Sequence, residues 1–210
     1  MIRRMALALA CLSASFSVFA AEGAIKGDAA KGQATAAMCA GCHGPDGNAI
    51  VPGTPSLAGQ HKDYIVKQLN NFKAAEGKPA TRNNPIMNGM AAPLTEEMMH
   101  DIAAWFASQK LKPAVAKDEK LVAQGQKLWR AGDFAKGIPA CAGCHGPAGA
   151  GLPAQYPRLA GIAADYTEAQ LKAFRAGERA NDTERVMQMI AAKMSDGDMK
   201  AVADYAAGLR

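Results

Sequence analysis

Past its first twenty residues, the 210-residue sequence has no run of eighteen or more apolar residues, which excludes a chain that crosses a bilayer repeatedly. It has no cluster of lysine and arginine interleaved with aromatics, so no nucleic-acid surface is indicated. The formal charge of +5 is modest and selects no partner class. Large side chains are scarce: two Trp, four Tyr and six Phe stand against 21 Gly. Cysteine is limited to five residues. The 49% hydrophobic content nevertheless excludes a disordered tail or a collagen-like rod and fits an ordinary soluble protein.

Residues 1–20 read as a signal peptide. Arg3 and Arg4 precede the mostly apolar stretch Met5 to Phe19, and Ala20 ends a Val-Phe-Ala cleavage pattern. An uncleaved anchor or a lipoprotein anchor at Cys11 are the competing readings; the apolar core is short and interrupted by serine. Cleavage leaves an exported chain of charge +3 with four cysteines. In an oxidising compartment four cysteines allow two disulfides, but their arrangement argues otherwise.

The remainder is one unit written twice. Cys39-Ala40-Gly41-Cys42-His43-Gly44-Pro45 returns as Cys141-Ala142-Gly143-Cys144-His145-Gly146-Pro147, an offset of 102 that also relates Pro55 to Pro157, Tyr64 to Tyr166 and Phe72 to Phe174. Further on the offset is 100, relating Met87 to Met187 and Trp105 to Tyr205. Upstream, Gly32 pairs with Gly125, so the second copy carries nine extra residues before its motif. The organisation is a first domain over 21–109, a linker over 110–118 and a second domain over 119–210. The linker is charged, is broken by Pro113 and reads as an exposed connector.

Apolar periodicity predicts an all-α fold: a tandem duplication of a small helical domain. Asp28 stands at the start of a first helix; His61 to Ala74 carries Tyr64, Ile65, Leu69 and Phe72 on one face. Thr95 and Ser195 read as N-caps of the last helix of each copy, with Asp198 as a capping-box partner of Ser195. Gly32 and Gly125 either allow a close crossing by that last helix or lie near frayed helix starts. A domain of ~90 residues so rich in alanine and glycine has little to bury, so something else should fill its centre.

C-x-x-C-H is the attachment pattern of a c-type haem. The thiols of Cys39 and Cys42, and of Cys141 and Cys144, reach the two vinyl-derived carbons of a porphyrin, which puts His43 and His145 beneath the iron. Two covalently attached haem c groups use every mature cysteine. The alternatives are redox dithiols or zinc, although 98 residues separate Cys42 from Cys141 and the histidines would then lack a purpose. His61 matches Ala163 and His100 matches Lys200, so neither supplies a second ligand in both copies.

Only two methionines past the leader are matched by methionine in the other copy: Met87 with Met187, and Met99 with Met199. Met99 and Met199 fall inside the last helix. Met87 and Met187 precede it, in a loop able to fold back over the haem, and are the candidate distal ligands, with Met90 and Met189 as rivals. Thioether opposite imidazole favours ferrous iron and occupies the face where a substrate would bind, which points to electron transfer, not catalysis. Pro55 and Pro157, each twelve residues after its histidine, are candidate carbonyl acceptors for the ring N–H or simple turn residues. Tyr64 and Tyr166 are placed to meet a haem propionate or the opposite domain; Arg82 is a propionate candidate in the first copy alone.

With the duplicated C-A-G-C-H-G-P, the P-S-L-A-G-Q and P-R-L-A-G segments and the M-x-x-M-A-A-P-L-T and M-x-M-I-A-A-K-M-S segments, the sequence resembles the dihaem cytochrome c4 family, whose halves have the class I cytochrome c fold. The resemblance implies His43–Met87 and His145–Met187 axial pairs and supports the proline carbonyls as acceptors. It further implies a periplasmic carrier between a quinol-oxidising bc1 complex and a terminal oxidase, often loosely membrane-associated, with a polar joint between the halves. The competing reading is a cytochrome subunit of a periplasmic dehydrogenase or a dihaem redox enzyme such as a peroxidase. A peroxidase needs acid–base residues at an open iron, and neither copy offers a matching distal histidine or carboxylate.

Overall fold

The computed structural model describes residues 25–75 and 77–210; the signal-peptide reading falls on residues outside these. The described chain is all-α, two helical units of one plan, with only isolated β-bridges among the described residues. The first contains α1 (Ala29–Thr35), a 3-10 turn (Ala36–Cys39), α2 (Ala40–His43), α3 (Lys62–Phe72), α4 (Pro85–Ala91) and α5 (Glu96–Ser108). The second contains α6 (Glu119–Ala131), α7 (Ala142–His145), α8 (Ala164–Ala176), a 3-10 turn (Thr183–Arg185), α9 (Val186–Ala191) and α10 (Asp196–Gly208). None of these helices is long and apolar enough to cross a membrane.

Local chemistry sets the helix starts. The Asp28 carboxylate accepts from the amides of Ala30 and Lys31, and Thr95 accepts from Met98 N. Ser195 and Asp198 form a reciprocal capping box, satisfying amides that a helix cannot pair internally. In each unit the first and last helices cross, α1 on α5 and α6 on α10, and the middle helix, α3 or α8, packs beside the last. Gly32 and Gly125 are buried at these crossings. A Cβ on Gly32 would collide with the Asp101 carbonyl, which supports close crossing over fraying.

Two separate apolar clusters result. Ile65, Leu69, Met99, Ile102 and Phe106 build the first, with Met87 packed at its margin. Leu128, Trp129, Leu171, Phe174, Met199 and Val202 build the second, with Met187 at its margin. Each fully buried side chain of this size contributes about 1.5–3 kcal/mol. Met99 and Met199 are core residues in their last helices, 1% and 0% exposed.

Two features differ from the sequence reading. Met87 and Met187 lie not in loops but in the short helices α4 and α9. Residues 110–118 form no helix, as Pro113 requires, yet they are a strap tied at both ends. Asn48 binds the first end, receiving Lys112 N on Oδ1 at 2.6 Å and donating to Lys110 O at 3.1 Å. Asp204 receives the amides of Lys117 and Asp118 at 2.8 and 3.2 Å. A buried amide and carboxylate thus hold the backbone of a segment whose own residues carry no packing signal.

Candidate haem-binding sites

In both units a short helix delivers the histidine. His43 is the last residue of α2 and His145 the last of α7; each is followed by a glycine at φ 78°, ψ 154°, a conformation that admits little but glycine. The chain then loops back through the same pair of bonds: Leu57 N and Ala58 N donate to Gly47 O, and Leu159 N and Ala160 N to Gly149 O. This brings Pro55 O to 2.8 Å from His43 Nδ1 and Pro157 O to 3.1 Å from His145 Nδ1. A carbonyl only accepts, so each Nδ1 carries the proton and each Nε2 presents a lone pair. Neither Nε2 has a protein partner among the described residues. Both rings are 7% exposed. Burial, opposed by the proline hydrogen bond, pushes both imidazoles below the usual histidine range, which keeps them neutral at pH 7.

The four cysteines of the described residues form no disulfide: Cys42 is exposed, and Cys39, Cys141 and Cys144 are half-buried. Burial raises the Cys39 thiol and pushes Cys141 up to about 11. Among the described residues no three His, Cys, Asp or Glu side chains converge as a zinc site would require.

Met87 and Met187 are half-buried against the two cores. Their rivals stand apart from both clusters: Met90 is half-buried, and Met189 is 55% exposed. The two methionine helices are held differently. Asn84 caps α4 by accepting Met87 N at 3.0 Å, and Asn88 Nδ2 ties it to Phe72 O at 2.7 Å. At α9 the Asp182 carboxylate receives Gln188 N and Nε2, and the helix follows Glu184 and Arg185 at φ 53° and 58°. Such left-handed conformations cost a non-glycine residue about 1–3 kcal/mol.

Tyr64 and Tyr166 face the joint between the units. The Tyr166 hydroxyl accepts from Arg82 at 3.1 Å, and the Tyr64 hydroxyl accepts from Arg179 at 3.0 Å. Arg82 stacks on Phe72 and Arg179 on Phe174, each 4.5 Å from the ring centre, and their backbones form an antiparallel bridge. Arg82 therefore has a twin, contrary to the reading of it as a residue of the first copy alone. Gln60 clasps Arg158, donating to its carbonyl at 3.0 Å and accepting its amide at 2.9 Å. His61 Nε2 lies 2.8 Å from Ala150 O, also across the joint.

Trp129 was not singled out by the repeat, because its counterpart is Ala36. Its indole lies 6.4 Å from the His145 ring and donates to Pro147 O at 3.1 Å. Tyr156 meets the same imidazole edge-on at 6.0 Å. His43 has no aromatic neighbour of this kind among the described residues.

This residue set fits a covalently bound haem. Each unit offers two thiols, a neutral imidazole with its outer nitrogen free and a thioether at the edge of an apolar cluster. At the joint, Arg82 and Arg179 have no carboxylate within ion-pair distance among the described residues. Asp182 favours the Arg179 charge from beyond that distance, and an acid-bearing group at the joint would add to it.

Fold and site together define a tandem class I cytochrome c. The cytochrome c family matches residues 29–110 and 122–209. A curated relative, cytochrome c4 of Pseudomonas aeruginosa, is 47% identical over 185 residues, covering 87% of this chain and 89% of the relative. A protein of Stutzerimonas stutzeri described as a thiosulfate dehydrogenase electron acceptor is 40% identical over 177 residues, covering 83% and 80%. The crystal structure of reduced cytochrome c4 from Pseudomonas stutzeri superposes with a TM-score of 0.81 at 43% identity, covering 88% of this chain and all of that one. The chain belongs to the cytochrome c family and, within it, to the dihaem cytochromes c4, which are electron carriers and not catalysts.

Proposed function

We propose that this chain is a periplasmic carrier that accepts electrons from a quinol-oxidising bc1-type complex and passes them to a terminal oxidase, with one haem c in each unit. The observation that carries the reading is the duplicated pairing of a proline-anchored, buried imidazole with a methionine at the margin of the same core. Cys39, Cys42, Cys141 and Cys144 would hold the two haems covalently, His43 and His145 would bind from one side, and Met87 and Met187 from the other. Haem c, when bound, supplies a one-electron ferric–ferrous couple whose ferrous state a thioether ligand favours. Pro55 and Pro157 fix the tautomer and plane of each imidazole. The two apolar clusters exclude water, which disfavours the additional positive charge of ferric iron. Neither unit requires a proton donor or acceptor.

Pyridine haemochrome analysis of the periplasmically matured protein tests the cofactor content, with two haems per chain expected. Met87→Ala and Met187→Ala should each alter one of two potentiometric steps and open one iron to carbon monoxide. One haem per chain, or spectra indifferent to both substitutions, would reject the assignment.

The relative described as a thiosulfate dehydrogenase electron acceptor favours a second reading, in which the donor is a periplasmic dehydrogenase. Stopped-flow reduction of the purified protein by a bc1-type complex and by a thiosulfate dehydrogenase separates the two. The faster donor at equal concentration identifies the route.

A further inference from the structure

The second unit carries a turn that the first lacks. Within the nine-residue addition before its C-x-x-C-H motif, Asp133 to Ile138 fold back on themselves. Asp133 and Ile138 exchange both backbone hydrogen bonds at 2.9 Å, and Gly137 N donates to Phe134 O at 3.0 Å. Lys136 pins the turn to Asp198 of α10 at 2.7 Å, and Ile138 is its buried foot. The tip of this fastened turn is Phe134, whose side chain is fully exposed. A turn that served only to connect would carry a polar residue there.

Phe134 does not stand alone. It borders an open groove of about 500 Å³ whose other walls include Pro139, Val186, Met189 and Ile190. Lys193 is the one charged residue among those that line it. Its Nζ donates to Gly137 O at 2.9 Å and, among the described residues, meets no carboxylate within ion-pair distance. In the first unit Ile86 matches Val186 and is likewise exposed, but Gly89 stands in place of Met189 and the turn has no counterpart.

Contiguous apolar surface of this kind marks a contact site. Three occupants compete. A second copy stacked groove to groove about a two-fold axis brings Lys193 toward Lys193, in a chain of net positive charge. A bilayer offers no side chain to fill a concave groove. A protein face with an apolar side chain at its centre and carboxylates at its rim satisfies both the groove and Lys193. One wall of the groove is α9, which also carries Met187, so a partner seated there lies against the second site.

We propose that this groove docks a protein that exchanges electrons with the chain, through an apolar side chain ringed by carboxylates, and that such docking uses the second unit and not the first. The proposal rests on the carrier reading and adds to it the face by which a partner is recognised. Phe134, preordered by its turn, is the anchor. Lys193 steers the acidic rim.

The test uses the full-length, matured protein with Phe134→Ser and Lys193→Glu, and with Ile50→Ser as a control at an exposed side chain of the first unit. Electron exchange is followed against carrier concentration with two probes, a detergent-solubilised bc1-type complex and a terminal oxidase. For at least one of them, KM should rise about tenfold in Phe134→Ser and in Lys193→Glu while kcat stays as it was. Lys193→Glu should also weaken the dependence of KM on ionic strength. Ile50→Ser should move neither KM. Haem content, visible spectrum and urea midpoint should match the unmodified protein in all three, because the altered side chains are exposed.

Unmoved KM values for both complexes would overturn the proposal, and so would an equal rise in Ile50→Ser. Sedimentation equilibrium, and co-sedimentation with vesicles of phosphatidylethanolamine and phosphatidylglycerol, test the rival occupants. Dimerisation or vesicle binding that Phe134→Ser abolishes, with both KM values unmoved, would assign the groove to a second copy or a bilayer instead. An unmodified protein that exchanges electrons with neither complex would defeat the carrier reading, and the proposal with it.

Discussion

Gly125 of α6 and Tyr205 of α10 pass so closely that a Cβ added to the glycine would stand 2.6 Å from the tyrosine Cβ. Gly32 meets the backbone of α5 at Asp101 in the same way. Alanine at either position would gain about 1 kcal/mol of helix propensity, but the helices must part to admit it, and overpacking of this kind costs about 1–3 kcal/mol or more. Packing wins. Gly32→Ala and Gly125→Ala should each lower the urea midpoint with an unchanged slope. Full stability in either variant would mean that the helices part there without cost.

The parts of the fold written in contiguous residues were legible in advance. Thr95 and the Ser195–Asp198 pair announce their helices because capping is decided within four residues. C-x-x-C-H announces its cofactor because thiols and imidazole must lie together. Arg179 could not be read as the twin of Arg82: it follows Phe174 by five residues, whereas Arg82 follows Phe72 by ten. No single offset aligns them, and only the shared stacking on phenylalanine reveals the pair. The tied strap was hidden for a similar reason, since Asn48 and Asp204 lie far from it in sequence. The short helices bearing Met87 and Met187 are too brief to show a periodicity of their own.

Asp198 contributes acid sensitivity in the second unit. Its burial opposes ionisation, but Lys136, the Ser195 amide and hydroxyl, and Gln124 outweigh that cost and lower its pKa to about 2 from 3.8. Because the folded pKa lies below the unfolded one, the stabilisation is complete above pH ~4 and is lost as pH falls through about 2. Asp198→Asn should therefore cost about 1 kcal/mol at neutral pH and less as pH drops through that window. Urea titrations from pH 7 to pH 2 measure the convergence. Parallel curves for the two proteins would remove Asp198 from the acid limb.

Asn48 holds the strap through two hydrogen bonds at once. Asn48→Ala leaves Lys112 N without its acceptor, a loss of about 1–3 kcal/mol where water cannot replace it. Native-state hydrogen exchange at Lys112 should accelerate strongly, while exchange within α8 stays as it was. Uniform acceleration along the chain would show instead that the strap governs global stability.

Trp129 distinguishes the two cofactor sites most sharply. It is 1% exposed, lies tilted 6.4 Å from the rings of both His145 and Tyr205 and anchors the chain just past the second motif through Pro147 O. Ala36 fills the equivalent place in the first unit without a ring or a donor. Trp129→Phe keeps most of the apolar volume and removes the indole N–H, so it should cost about 1–3 kcal/mol, while Trp129→Ala should cost about 3–5 kcal/mol. Both changes should move the potential and visible spectrum assigned to the second haem and leave the first unchanged, because the indole lies beside one imidazole and not the other. Potentiometry resolved by comparison with Met87→Ala and Met187→Ala assigns the steps. If Trp129→Phe moved both steps equally, the difference between the two irons would have to arise at the joint and not at His145.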